Sequence, residues 1–148
     1  MPLYSLDFDG AAAELVTEGD AVDSAFKRMI DRAAVLLSFE QVGGSEACLN
    51  MAKEYTSQRY AFGRQVASFQ AIKHKCADML VDVEHAKSAA YYAAAAVAEE
   101  NAELPAIAAL TKATVSDAYM RTAAECIQIH GGMGLMAGAT LMHDLNII

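Results

Sequence analysis

Tryptophan is absent from this sequence, and proline occurs only twice. With so few prolines and only nine glycines, a helix has few points at which it must break. Long apolar runs are also missing. The longest, residues 89–98, is about ten residues, against the roughly 20 needed to span a bilayer. Positive charge is scarce: 11 Lys and Arg stand against 19 Asp and Glu, a formal net charge of −8. That balance argues against a broad nucleic-acid contact, which needs clustered Lys and Arg facing phosphate. The cysteines, Cys48, Cys76 and Cys126, are odd in number, far apart and without zinc-ligand spacing. A disulfide framework is therefore not expected, and the three read as reduced, buried thiols of a cytoplasmic protein. The first ten residues are mixed and acidic, which does not fit a signal peptide.

What is present is alanine and aliphatic residues: 55% of the 148 residues are hydrophobic, enough to bury the core of one domain. Alanine has the best helix propensity, and its small side chain lets helices approach closely. Composition thus predicts a mostly α chain.

Along the chain, residues 1–20 differ from the rest. Leu3, Tyr4, Leu6 and Phe8 followed by Asp9-Gly10 suggest a short extended piece and a turn. Helical periodicity begins near Asp23 and runs to about Tyr60. Its apolar stripe reads Phe26, Met29, Ile30, Ala33, Leu36 and Leu37, then Cys48, Leu49, Ala52 and Tyr55. Gly43-Gly44 interrupts the stripe. Two mid-helix glycines cost roughly 1 kcal/mol each against alanine, so a close helix crossing is expected there. A second helix spans about residues 69–100, with Ile72, Cys76, Met79, Leu80, Val83, Ala86 and Ala90 inward; it would extend about 45 Å. Pro105 suits the first turn of a third helix, whose stripe is Ile107, Leu110, Ala113, Ala118 and Ile127. Glycines after His130 must end it. A short last helix over residues 136–148 completes the expectation. Short turns between long helices imply an all-α, antiparallel up-and-down helical bundle over residues 21–148.

Two places look unlike plain bundle. Residues 59–70 carry Arg59 and Arg64 around Phe62-Gly63, a pair suited to a phosphate or pyrophosphate; a polar interhelix turn is the plain alternative. Residues 128–134, Gln-Ile-His-Gly-Gly-Met-Gly, combine a helix end with glycines that let a ligand approach the backbone, or form a simple C-cap. No strand precedes them, so they do not match a dinucleotide fingerprint. His74 and His85 read as surface residues, and Asp78, Asp82 and Glu84 as a solvated face. His143-Asp144 reads as local helix surface, and the methionines as core. No nucleophile–base arrangement is legible, and inward Glu-x-x-His pairs of a ferritin-type metal site are missing.

Taken together, Arg59-x-x-Phe62-Gly63, Phe69-Gln70, Ala77-Asp78-Met79 and the 128–134 segment resemble the acyl-CoA dehydrogenase family, in its order and on successive helices. The resemblance covers about residues 22–148 and identifies them with that family's C-terminal helical domain. Residues 3–20 resemble the end of its middle β-domain. It implies a homo-oligomer, a dimer or a tetramer, with FAD lying between one subunit's active site and its neighbour's C-terminal domain. It implies that Arg59 contacts the FAD diphosphate, with Phe62 and Gln70 nearby, and that Gln128, Gly131 and Gly132 line the adenosine-diphosphate portion. Asp31 matches a position near the acyl-CoA.

The family's catalytic carboxylate removes an α-proton while hydride passes to the flavin. Its spacing projects that base a few residues past Ile148. Where a minority of members place a glutamate instead, this sequence has Ala33. The resemblance therefore implies no catalytic residue in this chain, a last bundle helix beyond Ile148, and no activity of the chain by itself. A self-associating bundle that kept the fold but not the chemistry is the alternative.

Overall fold

The structure, a computed structural model of the chain, describes residues 5–16 and 18–136. Leu3, Tyr4, His143-Asp144 and nearly all of the expected last helix lie outside these residues. Three long helices make up most of the rest: α1 (Asp20–Gln58), α2 (Gln70–Ala98) and α3 (Leu104–His130), followed by a short α4 (Gly132–Met136). Between α1 and α2 lie two-residue strands, β1 (Tyr60–Ala61) and β2 (Arg64–Gln65), and a 3-10 turn, Val66–Ser68. The all-α bundle expected from the sequence is thus the observed one, with the ends of the three long helices within about three residues of expectation, while α4 starts four residues before the short helix expected from residue 136.

Each helix packs against both others, with α1 and α3 running parallel and α2 antiparallel to them. Pro105 occupies the first turn of α3, and Gly131, at φ 60, ends it. The α2–α3 turn closes through Asn101, whose N–H reaches the Ala96 carbonyl and whose side-chain oxygen accepts from the Glu103 N–H. Among the described residues three ion pairs join neighbouring helices along their rims: Lys75 with Glu125, Lys87 with Glu46, and Arg121 with Asp82. Asp82, read from the sequence as part of a solvated face, holds Arg121 with both carboxylate oxygens.

The core corrects the stripe read along α1. Phe26, Met29, Ile30, Leu36 and Leu37 are exposed, Leu36 at 71%. Cys48, Leu49 and Ala52 of the second half are buried as expected, whereas in the first half the buried line is Val35, Ser38, Val42 and Ser45, and Thr56 extends it at the far end. Hydroxyls can face the core because each returns its proton to the carbonyl four residues back: Ser38 to Ala34 at 2.8 Å, Ser45 to Gln41 at 2.9 Å and Thr56 to Ala52 at 2.8 Å. Thr122 on α3 does the same towards Ala118 at 2.9 Å. Leu80 on α2 and Leu110 and Ala113 on α3 are likewise exposed. The long apolar side chains thus lie largely outside a core built from small residues.

The close crossing expected at Gly43-Gly44 belongs to Gly44 alone. A Cβ there would lie 2.6 Å from Cζ of Tyr119, whereas one on Gly43 would meet nothing. Far from interrupting α1, both glycines lie within its continuous run.

Residues 5–16 form no regular element. Their one turn, at Asp9-Gly10, is closed by the Ala11 N–H on the Phe8 carbonyl at 3.1 Å. Leu6 and Phe8 are exposed, and no strand forms among them.

Candidate functional site

Because α1 runs up, α2 down and α3 up, the end of α1, the start of α2 and the end of α3 share one end of the bundle. Six of the seven residues singled out from the sequence gather there: Arg59, Phe62 and Gln70 on the first connection, and Gln128, Gly131 and Gly132 at the end of α3. The seventh, Asp31, lies at the opposite end, in an open groove of ≈ 580 Å³ beside Arg28, Arg32, Asn101 and Pro105. Along α1 it is about 42 Å from Arg59, at 1.5 Å per residue.

The connection is a tight hairpin, which nothing but its central glycine announces in the sequence. Tyr60 pairs with Gln65 and Ala61 with Arg64, and the two residues at the tip both have positive φ, Phe62 at 52° and Gly63 at 77°. Two positive values belong to the type I′ turn that matches strand twist, but an aromatic residue at the first of them is unusual. Phe62 is 94% exposed. Apart from an edge-on approach to the Phe69 ring, this strained aromatic leaves nearly all of its surface to solvent. Gln65 ties the hairpin to α1 through Nε2 on the Ser57 carbonyl at 2.8 Å. Gln70 opens α2 and lies 3.3 Å from the His74 ring nitrogen through its Nε2.

Arg59 is exposed, and its guanidinium has no hydrogen-bond, ion-pair or ring partner among the described residues. Arg64 is committed differently, with Cζ 3.9 Å from the centroid of the Phe69 ring.

Across from the hairpin, the glycines of residues 128–134 divide their roles. Gly131 supplies the positive φ that ends α3, and Gly134 packs so closely under α3 that a Cβ would collide with the Ile127 carbonyl. Among the described residues nothing stands within 4 Å of where a Cβ on Gly131 or Gly132 would go, which leaves room there for a group to approach the backbone. Beneath them Tyr55 of α1 stacks on His130 of α3, with ring centroids 4.3 Å apart and an interplanar angle of 27°. His130 Nδ1 lies 2.7 Å from the Cys126 carbonyl, an acceptor only, so Nδ1 carries the proton. In the sequence Tyr55 reads only as part of the α1 stripe and His130 only as part of the 128–134 segment; their pairing is not legible there, since 75 residues separate them and no local pattern links them.

Deeper in, Cys48 and Cys126 belong to one buried cluster, with Cys76 packed against it. All three are free thiols. The hydrogen bond to Cys126 and burial hold the Cys48 thiol far above its ordinary pKa, and the same bond lowers that of Cys126 against the effect of burial. Burial also pushes Cys76 up. Among the described residues no group of three or more His, Cys, Asp or Glu side chains is arranged to hold a metal ion. No described helix is long and apolar enough to cross a membrane.

The fold and this end define a three-helix bundle domain that offers an uncommitted arginine, an exposed aromatic and open glycine backbone together. A family model for the acyl-CoA dehydrogenase C-terminal domain matches residues 24–145, and the chain belongs to that family. Acyl-CoA dehydrogenase IpdE2 of Mycobacterium tuberculosis is 38% identical over 147 residues, which cover 99% of this chain and 43% of the relative. Acyl-CoA dehydrogenase FadE34 of the same organism is 36% identical over 150 residues, covering 99% of this chain and 20% of the relative. Among solved structures, butyryl-CoA dehydrogenase from Megasphaera elsdenii matches with a TM-score of 0.73 at 34% identity, over 82% of this chain and 32% of that one. The chain therefore spans less than half the length of these relatives.

Proposed function

We propose that these residues serve as the C-terminal domain of an FAD-dependent acyl-CoA dehydrogenase, an oxidoreductase that forms the α,β double bond of acyl-CoA thioesters. The observation that carries the reading is the gathering of Arg59, Phe62, Gln70, Gln128, Gly131 and Gly132 at one end of the bundle. These residues fit the cofactor. An exposed guanidinium without a partner suits a diphosphate. Open glycine backbone allows the close approach of an adenosine-diphosphate moiety, and the amides of Gln70 and Gln128 offer donors to its polar edges. When bound, FAD supplies the acceptor for the hydride that leaves the β-carbon.

What this segment contributes is binding and assembly. Asp31, the candidate for acyl-CoA contact, stands at the other end of α1, too far to share one active site with the cofactor-contacting end of the same chain. One chain's two ends then serve two different sites, which requires at least a dimer. The exposed apolar side chains of α1 suit that assembly: Phe26, Met29, Ile30 and Leu36 form a surface of the kind that self-association covers. Catalysis needs a base within reach of the α-proton, and we assign no such role to any residue here; the segment by itself is expected to be inactive. The free thiols fit a cytoplasmic setting. Residues 1–20 are proposed to belong to a preceding β-domain.

The test is complementation. The chain, mixed with the N-terminal portion of a related acyl-CoA dehydrogenase, should take up FAD with quenching of flavin fluorescence and bleach on adding an acyl-CoA. Arg59→Gln should weaken FAD uptake by tenfold or more, on the order of one charge-assisted bond. If no flavin binds in any such mixture, the alternative of a non-catalytic self-associating bundle replaces this reading.

A further inference from the structure

The two arginines beside the hairpin tip have the same charge and nearly the same position in the sequence, yet the fold uses them differently. Arg59 is uncommitted, whereas the Arg64 guanidinium lies 3.9 Å above the Phe69 ring. Phe69 in turn receives Phe62 edge-on, with centroids 6.3 Å apart and planes at 85°. The Phe69 backbone is anchored in the body of the bundle. Its carbonyl accepts the Ile72 and Lys73 N–H groups of α2, and its own N–H reaches the Val66 carbonyl at 3.1 Å. The Arg64, Phe69 and Phe62 side chains thus form one stack running from the start of α2 to the tip of the hairpin.

The hairpin needs such support. Its strands have two residues each, and a ribbon that short has little stability of its own. Phe62 holds a positive φ that side chains rarely adopt. The backbone bond from the Val66 N–H to the Arg59 carbonyl, at 2.8 Å, closes the base of the loop but does not reach its tip. The Ala61–Arg64 pair flanks the tip, and the Arg64–Phe69–Phe62 stack adds the side-chain contact that reaches Phe62 itself. A planar guanidinium is suited to lying flat on a ring, and leaving the ring to reach an anion would forfeit that contact.

We infer that Arg64 is a positioning residue: through Phe69 it clamps the hairpin so that Phe62 and Arg59 are presented together, and Arg59 alone of the pair meets the anion. The purpose of the clamp rests on the FAD reading above; its existence does not.

The experiment follows amide hydrogen exchange at Val66 in the 148-residue chain, in Arg64→Gln, Phe69→Leu and the double variant, with thermal unfolding as a check on the bundle. Each single change should speed Val66 exchange roughly two- to five-fold, the span of an exposed cation–π contact. The double variant should be no faster than the faster single, because both remove one contact. Arg64→Lys should retain part of the protection. Unchanged exchange in Arg64→Gln, or multiplied effects in the double variant, would overturn the clamp.

FAD uptake in the complemented mixture provides the second readout. Arg64→Gln and Phe69→Leu should weaken it equally, by about the same two- to five-fold factor and less than Arg59→Gln does. If Arg64→Gln were as severe as Arg59→Gln while Phe69→Leu did nothing, Arg64 would be a direct anion ligand and the inference would fall. Should exchange respond as expected while FAD never binds, the clamp stands and the cofactor reading is what fails.

Discussion

Tyr55 and His130 stack face to face across the bundle, joining the last turn of α1 to the last residue of α3. The Tyr55 hydroxyl also points at the His130 carbonyl, 3.4 Å away, at the residue immediately before Gly131. The end of α3 that carries Gln128, Gly131 and Gly132 is thereby fixed against the helix that leads into Arg59.

Removing that stack should loosen the end of α3. Tyr55→Ala is expected to cost about 2 kcal/mol in urea unfolding, the scale for losing a half-buried aromatic ring and its stacking partner. Tyr55→Phe keeps the ring and gives up only a long hydrogen bond, so its cost should stay under about 0.5 kcal/mol. Equal losses for the two variants would show that the hydroxyl, not the stack, carries the contact.

The two glycines of α1 should respond oppositely to the same change. Gly43→Ala places its methyl in open space and gains helix propensity, for a stabilisation of about 0.5–1 kcal/mol. At Gly44 the new Cβ would come within 2.8 Å of three Tyr119 atoms, so the ring must swing aside, and a net loss of about 1 kcal/mol is expected. Chemical denaturation of both variants, repeated in a Tyr119→Ala background, is the check. The Gly44 penalty should vanish in that background; if it persists, the crossing is limited by something other than the ring.

Thiol chemistry gives an ordering. At pH 8, iodoacetamide should modify half-buried Cys76 first, more slowly than a cysteine in a free peptide because burial raises its pKa. Cys48 and Cys126, fully enclosed, should react only once the bundle unfolds. Mass spectrometry of peptides along a time course would record this, and early labelling of Cys48 would contradict the packing of the cluster.

Self-association should depend on the outer face of α1. The chain is expected to sediment as a dimer or larger, and Met29→Glu with Leu36→Glu should shift it towards monomer, leaving the unfolding midpoint within about 0.5 kcal/mol of wild type. Sedimentation velocity at several concentrations decides the matter. A wild-type monomer throughout would remove the case for this face as an interface.

The α1 face also shows why part of the fold escaped sequence reading. Phe26, Met29, Ile30 and Leu36 have the spacing and hydrophobicity of a core stripe, and periodicity cannot tell a face that packs within the chain from one that faces outward. Ser38, Ser45 and Thr56 look polar in the sequence, yet they are buried because the carbonyl one turn back takes their protons. The hairpin was hidden for a different reason. Two-residue strands leave no period to detect, and Phe62 is not a residue that announces a type I′ turn.

The sequence by itself determined that the chain is helical, where its helices start and stop, and which family it resembles. Those properties are local: alanine-rich propensity, Pro105 at a helix start, Gly131 at an end, and short motifs in a fixed order. Tertiary structure alone decided which face of α1 is inside, that Gly44 rather than Gly43 marks the crossing with α3, that Tyr55 meets His130, and that Arg64 lies on Phe69 while Arg59 stays uncommitted. Each of these depends on how helices distant in sequence are rotated and shifted against one another. That rotation is set by side-chain packing across the bundle, which no single segment encodes.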